Sequence, residues 1–364
     1  MILTPPAITV LMPVYNAGPF LSQAVDSILK QTFTVFEFLI IDDGSTDGSG
    51  EILEEYARRD SRIQLVRREN RGLVATLNEG LNLARAPLVA RMDADDVSLP
   101  QRLRLQVDYM RDNPDVAVVG CAIRLINSEG APLNDACYPT RPDQVALHMR
   151  DMCSLAHPAV IMRREFVASV GGYRAMCRHA EDLDLWLRLL EHGARLANLD
   201  EVLLLYRQHG NSVTSQHALS QALVAAAILE AARQRREGRP DPLENLEPPL
   251  ERERLLAVFD SSPRDGYLFR TRLLRYVLHA YPALDKDTAR LALELHRQYS
   301  RLVEHGERTD IRLLMLAALC ALRGRQWRAG TQFLGSALSS DAPGALRAGL
   351  GWMGRRLRRR RAGT

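Results

Sequence analysis

The chain has 364 residues, 46% of them hydrophobic and 25% charged, with a formal net charge of +4; this is a globular composition in a chain too long for one ordinary core. Arg355, Arg356, Arg358, Arg359, Arg360 and Arg361 supply six of the positive charges and the rest of the chain is nearly neutral, which excludes a nucleic-acid footprint spread over the body. Cys121, Cys137, Cys153, Cys177 and Cys320 are odd in number and widely spaced, with no CxxC pair; this excludes a disulfide frame or zinc site and points to the reduced thiols of a cytosolic protein.

Up to about residue 210, short apolar runs alternate with amphipathic segments. The pattern predicts a strand over 8–12, a helix over 20–29, a strand over 36–41, a helix over 50–59, a strand over 63–66, a helix over 73–84 and a strand over 88–92. A βαβαβαβ order implies an α/β domain with a mostly parallel central sheet, whose ligands bind in loops at the carboxyl ends of the strands. A helix follows Pro100 to about Asn113, then mixed strand signals over 116–125 and 159–162, a helix over 180–192 and an apolar stretch over 202–206. From Ser215 onward strand alternation stops and long helical runs take over, interrupted by a loop over 238–249 that contains four prolines. The segments 311–321 and 329–338 around Gly324-Arg325 resemble one tetratricopeptide-like hairpin. Residues 345–361 interleave apolar residues with arginines, as a basic amphipathic helix on anionic lipid or a solvated tail would. The start of the chain lacks a signal peptide's basic segment and long apolar core, and no run reaches the ~18 apolar residues of a membrane span.

Two strand ends carry the chemistry. The second is followed by Asp42-Asp43-Gly44-Ser45-Thr46-Asp47-Gly48-Ser49. Ser45, Thr46 and Asp47 read as turn and helix-capping residues, while a carboxylate at this edge can accept the N3–H of a uracil or the hydroxyls of a ribose. The fourth is followed by Asp93-Ala94-Asp95-Asp96. Three carboxylates in four residues repel one another unless a cation neutralises them. Hard oxygens leaving a strand suit Mg²⁺ or Mn²⁺ bridged to a diphosphate; a solvated acidic turn is the structural alternative.

Pro13-Val14-Tyr15-Asn16, the Asp-Asp-Gly-Ser-Thr-Asp run, Asn70-Arg71-Gly72 and Asp93-Ala94-Asp95-Asp96 stand in an order and spacing that resembles the family 2 glycosyltransferases. The resemblance covers about residues 7–210. It implies the GT-A nucleotide-diphospho-sugar fold and inversion at the anomeric carbon. It would have Pro13, Tyr15 and Asp43 hold the base and ribose, with Asp42 beside them and Arg71 near the base or phosphates. Asp93 would meet the ribose or the metal, and Asp95 would be the principal metal ligand. Glu181-Asp182 opens the helix predicted over 180–192, and Asp182 matches the family's catalytic base, whereas helix capping is expected for Glu181 and Asp184. Arg207 and His209, in Tyr206-Arg207-Gln208-His209, would close over the diphosphate, Arg207 on phosphate and His209 on metal or phosphate. His157 would line the sugar or acceptor pocket, or be a satisfied core histidine, and Glu181 would stand near the same pocket.

The implied organisation is a GT-A domain over 1–214, an all-helical region over 215–343 and a basic tail over 344–364. The implied activity is metal-dependent, inverting transfer of one sugar from a UDP- or dTDP-sugar to a glycan or lipid-linked hydroxyl, in bacterial surface polysaccharide synthesis. The enzyme would be cytoplasmic, with peripheral contact to the inner membrane face through its tail. The Gln-x-x-Arg-Trp motif of processive members does not follow Asp182. A nucleotidyltransferase would need a glycine-rich basic loop after the first strand and an oxidoreductase a GxGxxG there; neither is present. A catalytically inactive scaffold is opposed by the intact Asp93, Asp95 and Asp182.

Overall fold

Strands that are apolar on both faces belong in a sheet covered on both sides, and the first two strands are of this kind. β1 (Ile8–Val14) and β2 (Phe36–Asp42) are buried almost throughout. The computed structural model describes residues 5–209, 213–248, 250–280, 287, 289–295 and 311–340. After β1 and β2 with their helices α1 (Leu21–Leu29) and α2 (Ser49–Arg59) come β3 (Ile63–Arg67), α3 (Leu73–Leu83), β4 (Leu88–Arg91), β5 (Val97–Ser98) and α4 (Arg102–Asp112). The series continues with β6 (Val116–Ile126), β7 (Pro132–Ala136), α5 (Pro142–His148), β8 (Ile161–Arg163), α6 (Arg164–Ser169), α7 (Glu181–Glu191) and β9 (Arg195–Arg207).

Among the described residues nine strands join one sheet in the order β3-β2-β1-β4-β8-β6-β9-β5, with β7 paired to β6. β3, β2, β1 and β4 are mutually parallel. β8 then enters antiparallel to both β4 and β6, while β6 and β9 run parallel. The sequence pattern therefore describes the first half of the sheet well and the second less well. The apolar stretch over 202–206 is only the end of the 13-residue β9. Leu199 pairs with Cys121 and Val202 with the adjacent Ala122, so the exposed Asp200 and Glu201 bulge out of the ladder. That bulge breaks the period-2 alternation on which strand reading depends. β5 is two residues long and β7 is mostly exposed, so neither carries an apolar signature.

By compactness the chain divides into two units, Met1–Gln216 and His217–Thr364. α8 (Val213–Arg236) carries non-helical backbone at His217. In the second unit α9 (Arg252–Phe259) and α10 (Pro263–Ala280) are followed by α11 (Ile311–Arg323) and α12 (Trp327–Ser340). The last two pack as a helical hairpin, with Gly330 so close to Leu322 that a Cβ there would meet its Cδ2 at 2.7 Å. The basic segment 344–364 lies outside the described residues.

The join between sheet and helix in the first unit is equally tight. Gly80 of α3 faces the fully buried Leu11 of β1, and a Cβ at residue 80 would overlap that side chain. Gly80→Val should lower stability by about 1–3 kcal/mol through overpacking, as measured by urea unfolding; an unchanged midpoint would show that the α3–β1 contact is looser.

Candidate active site

Parallel β1, β2, β3 and β4 deliver their carboxyl ends to one edge of the sheet, and the loops there are laced together. The Asp43 amide donates to the Val14 carbonyl at 2.8 Å. The Asn16 amide donates to Ser45 Oγ at 3.0 Å and the Thr46 amide to Asn16 Oδ1 at 2.8 Å, with Asn16 held at φ 50°. Asp47 accepts from the Gly18 amide at 2.9 Å and from the Ser49 amide at 3.0 Å. The turn-and-cap residues of β2 thus also position the loop of β1, and leave Tyr15 56% exposed.

The adjacent Asp42 and Asp43 have separate tasks. Asp43 accepts the Arg71 amide at 2.9 Å and the Gly72 amide at 2.8 Å and pairs with Arg68. It fixes the loop after β3 while lying on the pocket wall. Asp42 is buried away from that wall, accepting the Ser45 amide at 2.9 Å and pairing with Arg67 at 3.2 Å. Asp42, expected beside the base and ribose, is turned into the fold by its alternating position along β2. Arg71 contributes its backbone amide to Asp43, and its exposed side chain is not part of the wall.

At the end of β4, carboxylate oxygens of Asp93, Asp95 and Asp96 lie within 4.8 Å of one another. The buried Arg91 pairs with Asp93. Burial and the proximity of Asp95 push the Asp93 carboxyl up while Arg91 pulls it down; burial, Asp93 and Asp95 push Asp96 well up. Asp96 Oδ1 accepts the Arg207 amide at 2.8 Å, and its buried Oδ2 has no hydrogen-bond partner among the described residues. Crowded hard oxygens with a buried acceptor left over suit a divalent cation of the Mg²⁺ or Mn²⁺ type.

Two residues expected at this centre occupy different positions in it. Arg207 is 3% exposed. Its guanidinium donates to the carbonyls of Asp95 at 2.9 Å, Asn127 at 3.2 Å and Ser128 at 3.0 Å, and to Gln23 Oε1 at 2.6 Å, with its plane 4.6 Å from the Phe20 ring centre. Arg207, expected on phosphate, clamps the loop after β4 in this structure, every guanidinium nitrogen being hydrogen-bonded. His209 lies on the wall with Nε2 2.9 Å from Asp95 Oδ2. It is the partner of a would-be ligand and stands outside the three-carboxylate group.

The acidic start of α7 completes the site. Glu181 lies on the wall, 5% exposed, with Oε2 buried and unpartnered among the described residues. Burial, then the neighbouring Asp182, raise its pKa from 4.5 to about 7. Asp182 is half-buried and is not on the pocket wall. Its Oδ1 accepts the Leu183 amide at 2.8 Å, and the Cys153 thiol lies 3.9 Å from Oδ2. Burial raises its pKa against the opposing pull of the Leu183 amide and Arg91. Asp184, expected to cap the helix, instead binds Arg174 at 3.0 Å and Arg188 at 2.8 Å while fully buried, fastening α7 to the turn before it. His157 is a core histidine, Nε2 2.9 Å from the Tyr173 hydroxyl and its ring edge-on to Trp186, and is absent from the wall. Burial, then Arg91, push its pKa well below 6.5, so it is neutral.

Pro13, Tyr15, Asp43, Asp93, Asp95 and Glu181 meet around one cleft of about 520 Å³. The sequence reading missed Arg178 and His179 on the same wall, and Arg91 beneath it. Only their nearness to the two acidic motifs marked them, and proximity in sequence does not say which side chains turn inward.

Comparison with known proteins agrees with this architecture. The family model described as Glycosyl transferase family 2 matches residues 9–170. The O-antigen biosynthesis glycosyltransferase WbnJ of Escherichia coli is 36% identical over 216 residues, covering 58% of this chain and 84% of that protein. EpsE of Bacillus subtilis (strain 168) is 34% identical over 211 residues, covering 57% of this chain and 75% of that one. Among solved structures, S. aureus TarS 1–349 in complex with UDP-GlcNAc superposes with a TM-score of 0.55 at 16% identity, over 90% of each chain. The fold is of the GT-A type.

Two outcomes follow from the geometry. Arg207→Leu should destabilise the ligand-free protein by roughly 2–3 kcal/mol, since it leaves the carbonyls of Asp95, Asn127 and Ser128 without their charged donor; a thermal melt within a degree of wild type would refute the clamp. Glu181 holds its proton more tightly folded than unfolded, so its contribution to stability is present below pH 4.5 and is lost as pH rises through 7. Metal-free Glu181→Gln should therefore exceed wild type at pH 8 by roughly 1–3 kcal/mol and lose that advantage near pH 4.5, as read by chemical denaturation at both pH values.

Proposed function

The chain belongs to glycosyl transferase family 2, and from that premise we propose that it moves one sugar from a UDP- or dTDP-sugar to a hydroxyl of a glycan or lipid-linked acceptor, with inversion and with a bound divalent cation. The observation that carries this reading is the cluster of Asp93, Asp95 and Asp96, with the orphaned Asp96 Oδ2, beside a cleft that also takes in Tyr15, Asp43 and Glu181.

The exposed Tyr15 offers a face on which a base stacks, Pro13 bounds it, and Asp43 accepts from the base or ribose. When bound, Mg²⁺ or Mn²⁺ supplies the positive charge against which a leaving diphosphate is stabilised. Asp182 takes the proton of the acceptor hydroxyl as that oxygen bonds to the anomeric carbon. Its raised pKa brings it closer to the range where a carboxylate is an effective base near neutrality. A single displacement with no protein nucleophile inverts the configuration. A second reading gives this proton to Glu181, because Glu181 is the one on the wall and has a pKa of about 7.

The O-antigen role of the E. coli relative and the UDP-GlcNAc of the S. aureus structure support bacterial surface polysaccharide as the product and UDP as the carrier. No helix among the described residues is long and apolar enough to cross a membrane. The basic segment 344–364 would bring the enzyme to an anionic leaflet where lipid-linked acceptors reside.

A thermal-shift screen of nucleotide sugars with and without Mn²⁺ should find one donor class that stabilises the protein only with the metal. With that donor, Asp182→Asn should lose roughly 10²–10⁴-fold in turnover while nucleotide affinity stays within two-fold. Full turnover in Asp182→Asn with loss in Glu181→Gln would move the base to Glu181; no stabilisation by any nucleotide would sink the reading.

A further inference from the structure

A nucleoside diphosphate brings two phosphates into a cleft whose wall carries Asp43, Asp93, Asp95 and Glu181. The diphosphate brings further negative charge to that acidic wall, and a protein cation facing the cleft would offset it. Of the arginines nearest in sequence to the donor motifs, Arg71 is exposed but its side chain is not on the cleft wall, and the others are already engaged. Arg67 and Arg68 are paired with Asp42 and Asp43, Arg91 is buried against Asp93, and the Arg207 guanidinium is consumed by carbonyls and Gln23.

Arg178 is different. It lies on the cleft wall, is exposed, and has no ion pair or side-chain hydrogen bond among the described residues. Among the wall residues it is the sole arginine or lysine. The segment that carries it is not slack. The 3-10 turn Ala175–Cys177 precedes it, its own amide donates to the Ala175 carbonyl at 3.3 Å, and the next residue, His179, is also on the wall with φ 75°. A non-glycine residue seldom adopts that backbone, and such positions gather at binding sites. Asp184 holds Arg174 at 3.0 Å just before the turn, and Glu181 follows at the start of α7, so both ends of the segment are anchored.

We propose that Arg178 is the phosphate-binding residue of this cleft, gripping the diphosphate of the nucleotide donor in the place that Arg207 would otherwise take. The assignment rests on the donor reading above and adds a residue to it. Arginine suits the task because its planar fork gives two parallel, charge-assisted hydrogen bonds to a phosphate. Its exposure leaves it free to close on the ligand once the donor is in place.

The test is calorimetric binding of UDP, dTDP and GDP, and of the matching nucleosides, to the full chain with saturating Mn²⁺, comparing wild type with Arg178→Ala and Arg178→Lys. For the diphosphate that wild type binds, Arg178→Ala should weaken affinity about ten-fold or more while leaving the nucleoside's affinity within two-fold. Arg178→Lys should recover part of the loss, as a point charge without the fork would. Diphosphate affinity unchanged in Arg178→Ala would overturn the assignment and leave the donor reading standing; it would also be the result if Arg178 instead met a phosphate of the acceptor. Equal loss for diphosphate and nucleoside would overturn it too, as an effect on cleft shape. A wild-type chain that bound none of the three would overturn the donor reading and the assignment together.

Discussion

Three carboxylates crowded within 4.8 Å at the end of one short strand set the terms for the rest of the molecule. Such a cluster is tolerated only if positive charge approaches it. From below, the protein supplies Arg91, buried at the end of β4 and paired with Asp93. Burying an arginine there costs desolvation and is sustained by the acid it faces. On the cleft side Asp93 and Asp95 stand on the wall, while the buried Asp96 Oδ2 has no hydrogen-bond partner among the described residues.

The surrounding fold spends its polar contacts on keeping that cluster still. Arg207 at the end of β9 takes the carbonyl of Asp95, the carboxylate of Asp96 and the turn carbonyls of Asn127 and Ser128 into one network. Asp43 does the same for the base side, closing the loop after β3 through two backbone amides while presenting itself to the cleft. Residues that look like ligand contacts from their motif can thus be scaffold in fact, because a loop that must hold charged groups needs charged partners of its own.

The donor half was legible in the sequence for a physical reason. In β1, β2 and β4 the apolar runs are interrupted by at most one polar residue before their ends, so those ends, and the loops carrying Tyr15, Asp43, Asp93 and Asp95, could be located to within two residues. What could not be read was direction. Asp42 and Asp43 are strand neighbours with opposite orientations, Glu181 lies on the cleft wall and Asp182 does not, and a motif gives each pair the same address. Arg207 and His157 showed the same limit: their residue types fit a phosphate or a substrate, yet burial assigns them to carbonyls and to Tyr173. The second half of the sheet was obscured by the Asp200–Glu201 bulge and by the brevity of β5 and β8.

Manganese binding followed by electron paramagnetic resonance addresses the central claim most directly, because it reads the carboxylate cluster without any acceptor or turnover. The account expects one Mn²⁺ site per chain, tightened by the nucleoside diphosphate that the cleft accepts and lost in Asp95→Ala. A wild-type chain that left the manganese signal free at millimolar nucleoside diphosphate, or an Asp95→Ala chain that bound it as tightly, would contradict the account.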